Sequence, residues 1–381
     1  MDREVPHQGR YDHDQNHTAI QPVPKFPNDR SFETELHRRV NTYFDSAGIR
    51  PNATTGVYIK SLSILALFFC TYSYLVFAAT TPLEGVLSAI ALGLAIVGIG
   101  ANLQHDGSHN SFSRHRAINK LMAMTLELIG ASSYFWQWKH NRIHHSYTNI
   151  ADFDTDIDFG VLGRVAPSAK RRWFHRWQQF YIWPFYCLLA IKWQLFDDFH
   201  SLITGKLGNH RILRPKGYDL ALFIAGKIFF FTFAFAIPLL HHPLHHVLFF
   251  YLLPMSVAGL ALSMIFVLPH CVVESEFPLP DPATGVMNYP RAIHQIRVTV
   301  DFSKKNRVMA ALIGGLNLHR EHHLFPGICH AHYRRISEIV DAACDDFTIP
   351  RVNHNSYLAG LASHFRWLTA MGRAAENQQT P

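Results

Sequence analysis

The sequence predicts an all-α integral membrane protein: four transmembrane helices in two hairpins, with interfacial helices beside them and a cytosolic helical cap carrying histidine clusters. Three observations predict it. Apolar residues make up 48% of the 381 while charged residues are only 17%, with 29 Phe and 26 His, a balance suited to a chain partly immersed in lipid. Four stretches, near residues 58–79, 83–103, 218–240 and 246–268, are apolar enough and long enough to cross about 30 Å of hydrocarbon. Lys and Arg number seven in 1–57, fifteen in 104–217 and eleven in 269–381, with none in either turn joining a pair of spans. By the positive-inside rule both termini and the central segment face the cytoplasm.

Taken in order, residues 1–56 read as a polar cytosolic segment, partly disordered, with Pro22, Pro24 and Pro27 marking a loose lead-in and no signal peptide. The first two spans are joined by Thr80-Thr81-Pro82 and the last two by His241-His242-Pro243-Leu244-His245. Between the hairpins, Ala117–Phe135 and Tyr181–Phe196 are apolar but carry Lys120, Glu127 and Lys192, and read as helices lying in the interface. The main domain is placed at 57–345 and a cytosolic tail at 346–381. The net charge of +7 comes with no nucleic-acid-binding motif, so nucleic acid is excluded as a partner. The five cysteines are scattered without C-x-x-C spacing, which gives neither a disulfide framework nor a zinc ribbon.

Three histidine clusters carry the chemistry. His105 and His109, just past the second span, stand at i, i+4 and can grip one metal from one helical face. In His140-Asn141-Arg142-Ile143-His144-His145 the first and fifth residues share a face, with His145 about 100° away. His319, His322 and His323 fit within an arc of about 100°. Each cluster alone reads as surface or core histidines. All three on one side of the membrane, each just beyond a span or apolar helix, read as one site. Eight imidazoles without an obligatory thiolate or carboxylate suit Zn, Cu or Fe, and divide comfortably between two metals.

These clusters resemble the histidine boxes of the membrane fatty acid desaturase family. The likeness covers about residues 60–345 and extends to His270-Cys271-Val272 with Glu274 and Glu276-Phe277-Pro278, His294-Gln295, Gly314-Gly315-Leu316-Asn317 and His323-Leu324-Phe325-Pro326. These motifs are similar to the front-end, linoleoyl-CoA-desaturase-like branch. Two positions depart from it: three residues separate His140 from His144 where front-end members commonly have two, and His319 stands where they typically carry Gln. The resemblance implies two non-haem irons, O2 as co-substrate and removal of two hydrogens from an acyl chain carried on CoA, carrier protein or lipid. It adds His270 as a ninth metal ligand. His-Pro-Gly-Gly, the signature of a fused cytochrome, is absent from these residues, which implies an external electron donor of ferredoxin or cytochrome type.

Asp106, Asp154, Asp156, His294 and Asn317 are candidates for supporting contacts around the ligands, since a ligating imidazole usually donates its other N–H to a carboxylate or carbonyl. Asp152 and Asp158 share the acidic run after the second box. His330 and His332 leave a functional role and helix packing undivided. Lys227 lies within a span, open both to function and to snorkelling at the interface. A shared site requires that Ala117–Phe135 does not cross the membrane, and it sets His241, His242, His245 and His246 on the opposite face as a solvated turn. Breaking an unactivated methylene C–H needs a redox metal, which excludes zinc. The same metal pair serves a hydroxylase or an acetylenase. From another class, a metal-binding membrane transporter would place ionisable ligands inside the spans near the midplane, whereas these clusters lie at span ends.

Overall fold

Four helices long and apolar enough to cross a membrane run Thr55–Phe77, Pro82–Ser108, Tyr218–Leu239 and Leu244–His270 in the computed structural model, which describes residues 23–373. They are the expected two hairpins, and no other helix among the described residues meets that length and composition. Ala117–Phe135 breaks into helices Arg116–Ala123, Thr125–Leu128 and Ser133–Trp136, and Tyr181–Phe196 is likewise divided at Leu188, so neither is a span.

The first turn is fixed by its own chemistry. Thr81 caps the second span by accepting from the Glu84 amide at 3.3 Å, Glu84 reaches back to the Thr80 and Thr81 amides, and Pro82 presets the first helical turn. The second and fourth spans then pack closely, because Gly93 lets the Pro254 carbonyl approach to where a Cβ would lie only 2.7 Å away. Leu92, Ile96, Ile99, Met255, Leu262 and Ile265 fill the seam, and Leu62, Leu87, Ile228 and Leu252 face outward to lipid.

Lys227 is neither a snorkelling side chain nor a group of the histidine site. It is buried in the third span, where its ammonium donates to Gly130 O at 2.8 Å, Gln194 O at 3.0 Å and Asp198 Oδ2 at 2.7 Å. Those partners come from both broken helical segments, so one cation ties them to the bundle. Glu127, beside Gly226, is pushed up to about 7 by burial, while Asp198 is raised to about 6 by burial despite Lys227.

Two end segments differ from expectation. Within the segment read as a loose lead-in, Ser31–Ala47 is a helix whose Phe32, Leu36, Val40 and Phe44 pack on Ile296, Ile336, Val340 and Cys344. The i, i+4 spacing of those four residues is the physical reason. The partial disorder expected within 1–56 extends over 1–22, which lie outside the described residues. Within the segment read as a tail, Tyr357–Arg373 is a helix that buries Trp367, Leu368 and Met371 and braces the chain just past the fourth span. There His364 Nδ1 donates to Cys271 O at 2.6 Å and Trp367 donates to Val165 O at 2.8 Å. A short parallel pair, Asp301–Phe302 with Asn353–His354, closes the cap.

Replacing Lys227 with Met leaves the Asp198 carboxylate buried without its cation, at a cost of about 3 kcal/mol. Thermal unfolding in detergent should show a lower Tm for Lys227→Met, most of it regained in Lys227→Met/Asp198→Leu. Equal Tm values for wild type and single variant would refute the tie.

Candidate metal centre

The second span does not end as a regular helix. Ile99–Gln104 is a π-helical stretch, and another, Gln137–His144, carries most of the second box. Wide turns of this kind re-aim side chains, and they stand where the first two boxes begin. The face-sharing expected for a regular α-helix is therefore modified. His140 stacks on Trp136 at 4.7 Å and on His144 at 5.2 Å, and the two histidines meet at Asp156 while each also belongs to a different quartet of imidazoles. The first box also begins inside the second span rather than after it, since that helix runs to Ser108.

Nine imidazoles meet at one end of the bundle. Ligand nitrogens of His105, His109, His140 and His322 lie within 4.8 Å of one another, as do those of His144, His270, His319 and His323. His145 joins His322 and His323 within the same distance, between the two quartets. The third box is thus divided, with His322 facing one quartet and His319 and His323 the other. All nine are buried except His109, which is half-buried.

The nitrogens are sorted by role. His140 Nδ1 faces Asp156 at 3.3 Å, His144 Nδ1 faces Asp154 at 3.0 Å and His319 Nδ1 faces Leu316 O at 3.1 Å. His322 Nδ1 meets Tyr333 OH at 3.2 Å and His323 Nδ1 meets Thr148 Oγ1 at 3.3 Å. The Nε2 atoms of His105, His109, His140, His145, His270, His319, His322 and His323 are buried with no hydrogen-bond partner among the described residues. In His140, His319, His322 and His323 one ring nitrogen is held and the other left free, the arrangement usual for metal-ligating histidine, whereas in His105 and His270 both nitrogens are buried without a partner among the described residues.

Burial opposes charge on several of the rings. It lowers His109, His145, His319, His322 and His323 well below the ordinary imidazole range, neighbouring imidazoles adding to the effect, and takes His140 down to about 3. Burial opposes charge on His144 too, but Asp154 and Asp156 outweigh it and raise that ring. Asp156 resists burial through Lys139, at 2.9 Å, and His144, and stays well below the usual carboxylate range.

The other expected supports divide. Asp154 and Asp156 touch ligand rings directly. Asp106 does not: its Oδ1 lies 4.0 Å from His105 Nδ1, and its Oδ2 takes His330 Nδ1 at 2.7 Å and Cys329 Sγ at 3.1 Å. His294 Nε2 donates to Thr148 O at 2.9 Å and so supports the residue that meets His323, not the ring itself. Asn317 donates weakly to Ser303 O at 3.4 Å and leaves Oδ1 buried without a partner. Tyr333, Thr148 and Trp136 were not singled out from sequence, and their residue types carry no signal that could have found them. Asn149, missed likewise, binds His270 O at 3.0 Å and Glu276 O at 3.1 Å, which holds the end of the fourth span over the second box. Asp106, Cys329 and His330 form a further close group, but Lys60 Nζ sits 2.8 Å from His330 Nε2, and an ammonium there opposes a metal cation. His241, His242, His245 and His246 lie at the far end of the spans, where His242 Nε2 donates to Val76 O at 2.7 Å.

Fold and site together define a polytopic membrane protein with a buried polyhistidine centre at one end of its spans. The family model for fatty acid desaturase matches residues 81–354. The sn-1 linoleoyl-lipid 6-desaturase of Synechocystis sp. is 33% identical over 92% of this chain and 98% of its own length. That of Arthrospira platensis is 34% identical over 89% of this chain and 92% of its own, and the acyl-lipid (8-3)-desaturase of Physcomitrium patens 32% over 90% and 72%. The chain belongs to the fatty acid desaturase family and is an oxidoreductase that desaturates fatty acyl chains.

Gly314 has φ +62°, and a Cβ there would lie 2.0 Å from Ala101 O in the π-helical stretch before His105. Gly314→Ala should lose well over about 1 kcal/mol of stability, whereas Gly327→Ala, in open space, should be near neutral. Comparative thermal unfolding of the two variants checks this, and equal Tm values would show that the close approach does not matter.

Proposed function

We propose that the nine histidines hold two non-haem irons, one per quartet with His145 between them, and that with O2 and two electrons the centre converts –CH2–CH2– in an acyl chain to –CH=CH–. The balance is –CH2–CH2– + O2 + 2e⁻ + 2H⁺ → –CH=CH– + 2H2O, so a reductant must supply the electrons. The observation that carries this reading is the set of eight buried Nε2 atoms without another partner. Neutral imidazoles without thiolate fit iron, and the chemistry a bound iron pair supplies is oxygen activation and hydrogen abstraction.

The protein's own part is to position the chain and exclude water. A narrow cavity of about 30 Å³ lies against His105 and Trp136, walled by Ala190, Trp193, Leu262 and Phe266. It shares Ile96 and Ile129 with an apolar cavity of about 550 Å³ that reaches the turn end of the bundle at Pro82 and His246. An acyl chain laid along this path would bring a methylene beside His105 and send its methyl end past the two isoleucines. The acyl-lipid names of the relatives support a lipid-linked substrate. The Lys and Arg distribution supports a cytoplasmic position for the termini and the centre.

Purified protein should hold about two irons per chain and no stoichiometric zinc by elemental analysis. A single metal site, or zinc supporting full turnover, would overturn the assignment.

At matched membrane-inserted levels, His109→Ala, His144→Ala or His322→Ala should each abolish the unsaturated product by mass spectrometry of lipids. Replacing His241, His242, His245 and His246 together should leave most activity, the lost His242 hydrogen bond costing about 1 kcal/mol. An active His144→Ala beside an inactive quadruple variant would reverse the site assignment. Thiol labelling of a cysteine at Pro243 should report the face opposite that of a cysteine at Ser168, and a shared face would refute the topology.

A further inference from the structure

The helix running from Ser133 into the second box has two functional faces. One turns Trp136 into the narrow apolar cavity beside His105. The other turns Ser133, Gln137 and Asn141 into a separate, polar cavity of about 550 Å³. Ser108 and Asn110, the residues on either side of His109, line that second cavity, and Asn141 Nδ2 donates to Ser108 O at 2.7 Å. Of the nine clustered imidazoles, His109 alone is half-buried. The residues flanking the one half-buried imidazole thus line the polar cavity.

Its charge is lopsided. Arg116, Lys120 and Arg142 are exposed on its wall, with Asp219 as the one carboxylate. Lys120 lies over the Tyr218 ring at 3.9 Å and Arg142 over the Trp138 ring at 4.1 Å, and among the described residues none of the three cations is paired with a carboxylate. Cations held on aromatic faces keep their fixed positions and their field. A second basic cavity, of about 460 Å³, is lined by Lys60, Lys304, Arg307 and Arg334, but its charge is partly spent. Lys304 pairs with Asp341 at 2.8 Å, Lys60 is bound to His330 and the Ala311 carbonyl, and its way to the centre leads through buried Asp106.

We propose that the cavity at Arg116, Lys120 and Arg142 is the docking point of an acidic one-electron carrier protein, which delivers electrons at His109 in two successive encounters per turnover. This rests on the desaturation chemistry above, whose balance requires two electrons and names their source only as a reductant. A lipid headgroup fits this cavity less well, because the helix from Ser133 to His144 separates it from the apolar cavity, and a chain attached to such a headgroup would lie on the wrong face. Opposed charge speeds encounter and aligns partners, and the gain falls with added salt.

The test uses full-length, iron-loaded protein in nanodiscs, with a reduced acidic [2Fe–2S] ferredoxin as the probe. Arg116→Glu/Lys120→Glu/Arg142→Glu should raise the KM for ferredoxin by about tenfold or more and flatten its salt dependence, with the rate at saturating ferredoxin and the KM for the lipid substrate held. Arg307→Glu/Arg334→Glu, at the other basic cavity, should leave the ferredoxin KM unchanged. If the triple reversal fails to insert, Arg116→Gln/Arg142→Gln carries the same comparison at about threefold. An unchanged ferredoxin KM, an equal rise in the Arg307/Arg334 variant, or a rise confined to the lipid KM each overturns the proposal. A single turnover of wild-type protein with dithionite keeps the outcomes apart: product there with no docking effect sinks only the docking site, while no product sinks the reaction itself.

Discussion

An imidazole moved out of water costs modestly while it is neutral and heavily once it is charged. Nine of them gathered in one place therefore call for partners that hold the rings, and five have their Nδ1 atoms held by a named group. Most of the surrounding architecture follows from that requirement. Asp154, Asp156, Leu316 O, Tyr333 and Thr148 fix rings through Nδ1, and the Nε2 atoms turn inward. His144 is the one raised ring among those outside the spans, and it is also the one facing two carboxylates.

The same requirement explains the backbone. Histidines from four distant segments converge at close range, and regular helices would aim some of them away. π-helical stretches precede the first box and carry the second, Gly314 lets the loop before the third box close on the first, and Asn149 pins the fourth span's end over the second. A wide turn in mid-helix weakens the hydrogen-bond ladder, and such turns persist where a site over-determines them.

Much of this was legible in the sequence, and the parts that were not share a cause. The spans were readable because lipid imposes a length and a composition, and the boxes because histidines recur at short spacing beside the spans. Asp154 and Asp156 followed from their nearness in sequence to the second box. Tyr333 and Thr148 did not, because each meets its histidine across the fold and neither residue type marks a metal site. The amino-terminal helix was hidden by a polar average, although Phe32, Leu36, Val40 and Phe44 were spaced for one buried face. Lys227 could not be placed from sequence, since a cation inside a span has several fates and its counter-ion, Asp198, is a residue of another segment.

On the proposed reading, one helix serves two traffics. A desaturase has to bring a water-insoluble chain and a water-borne reductant to the same few ångströms without letting water follow the chain. A helix dry on one side and wet on the other does this: Trp136, with His140 stacked on it, lines the apolar cavity, while Ser133, Gln137 and Asn141 line the polar one. The aromatic ring stacked on His140 seals the dry side against the polar cavity, and Arg142 on the Trp138 ring holds positive charge at the wet rim. On the proposed reading, the separation of substrate from electrons follows from which side chains line which cavity, with the half-buried His109 flanked in sequence by Ser108 and Asn110 of the polar one.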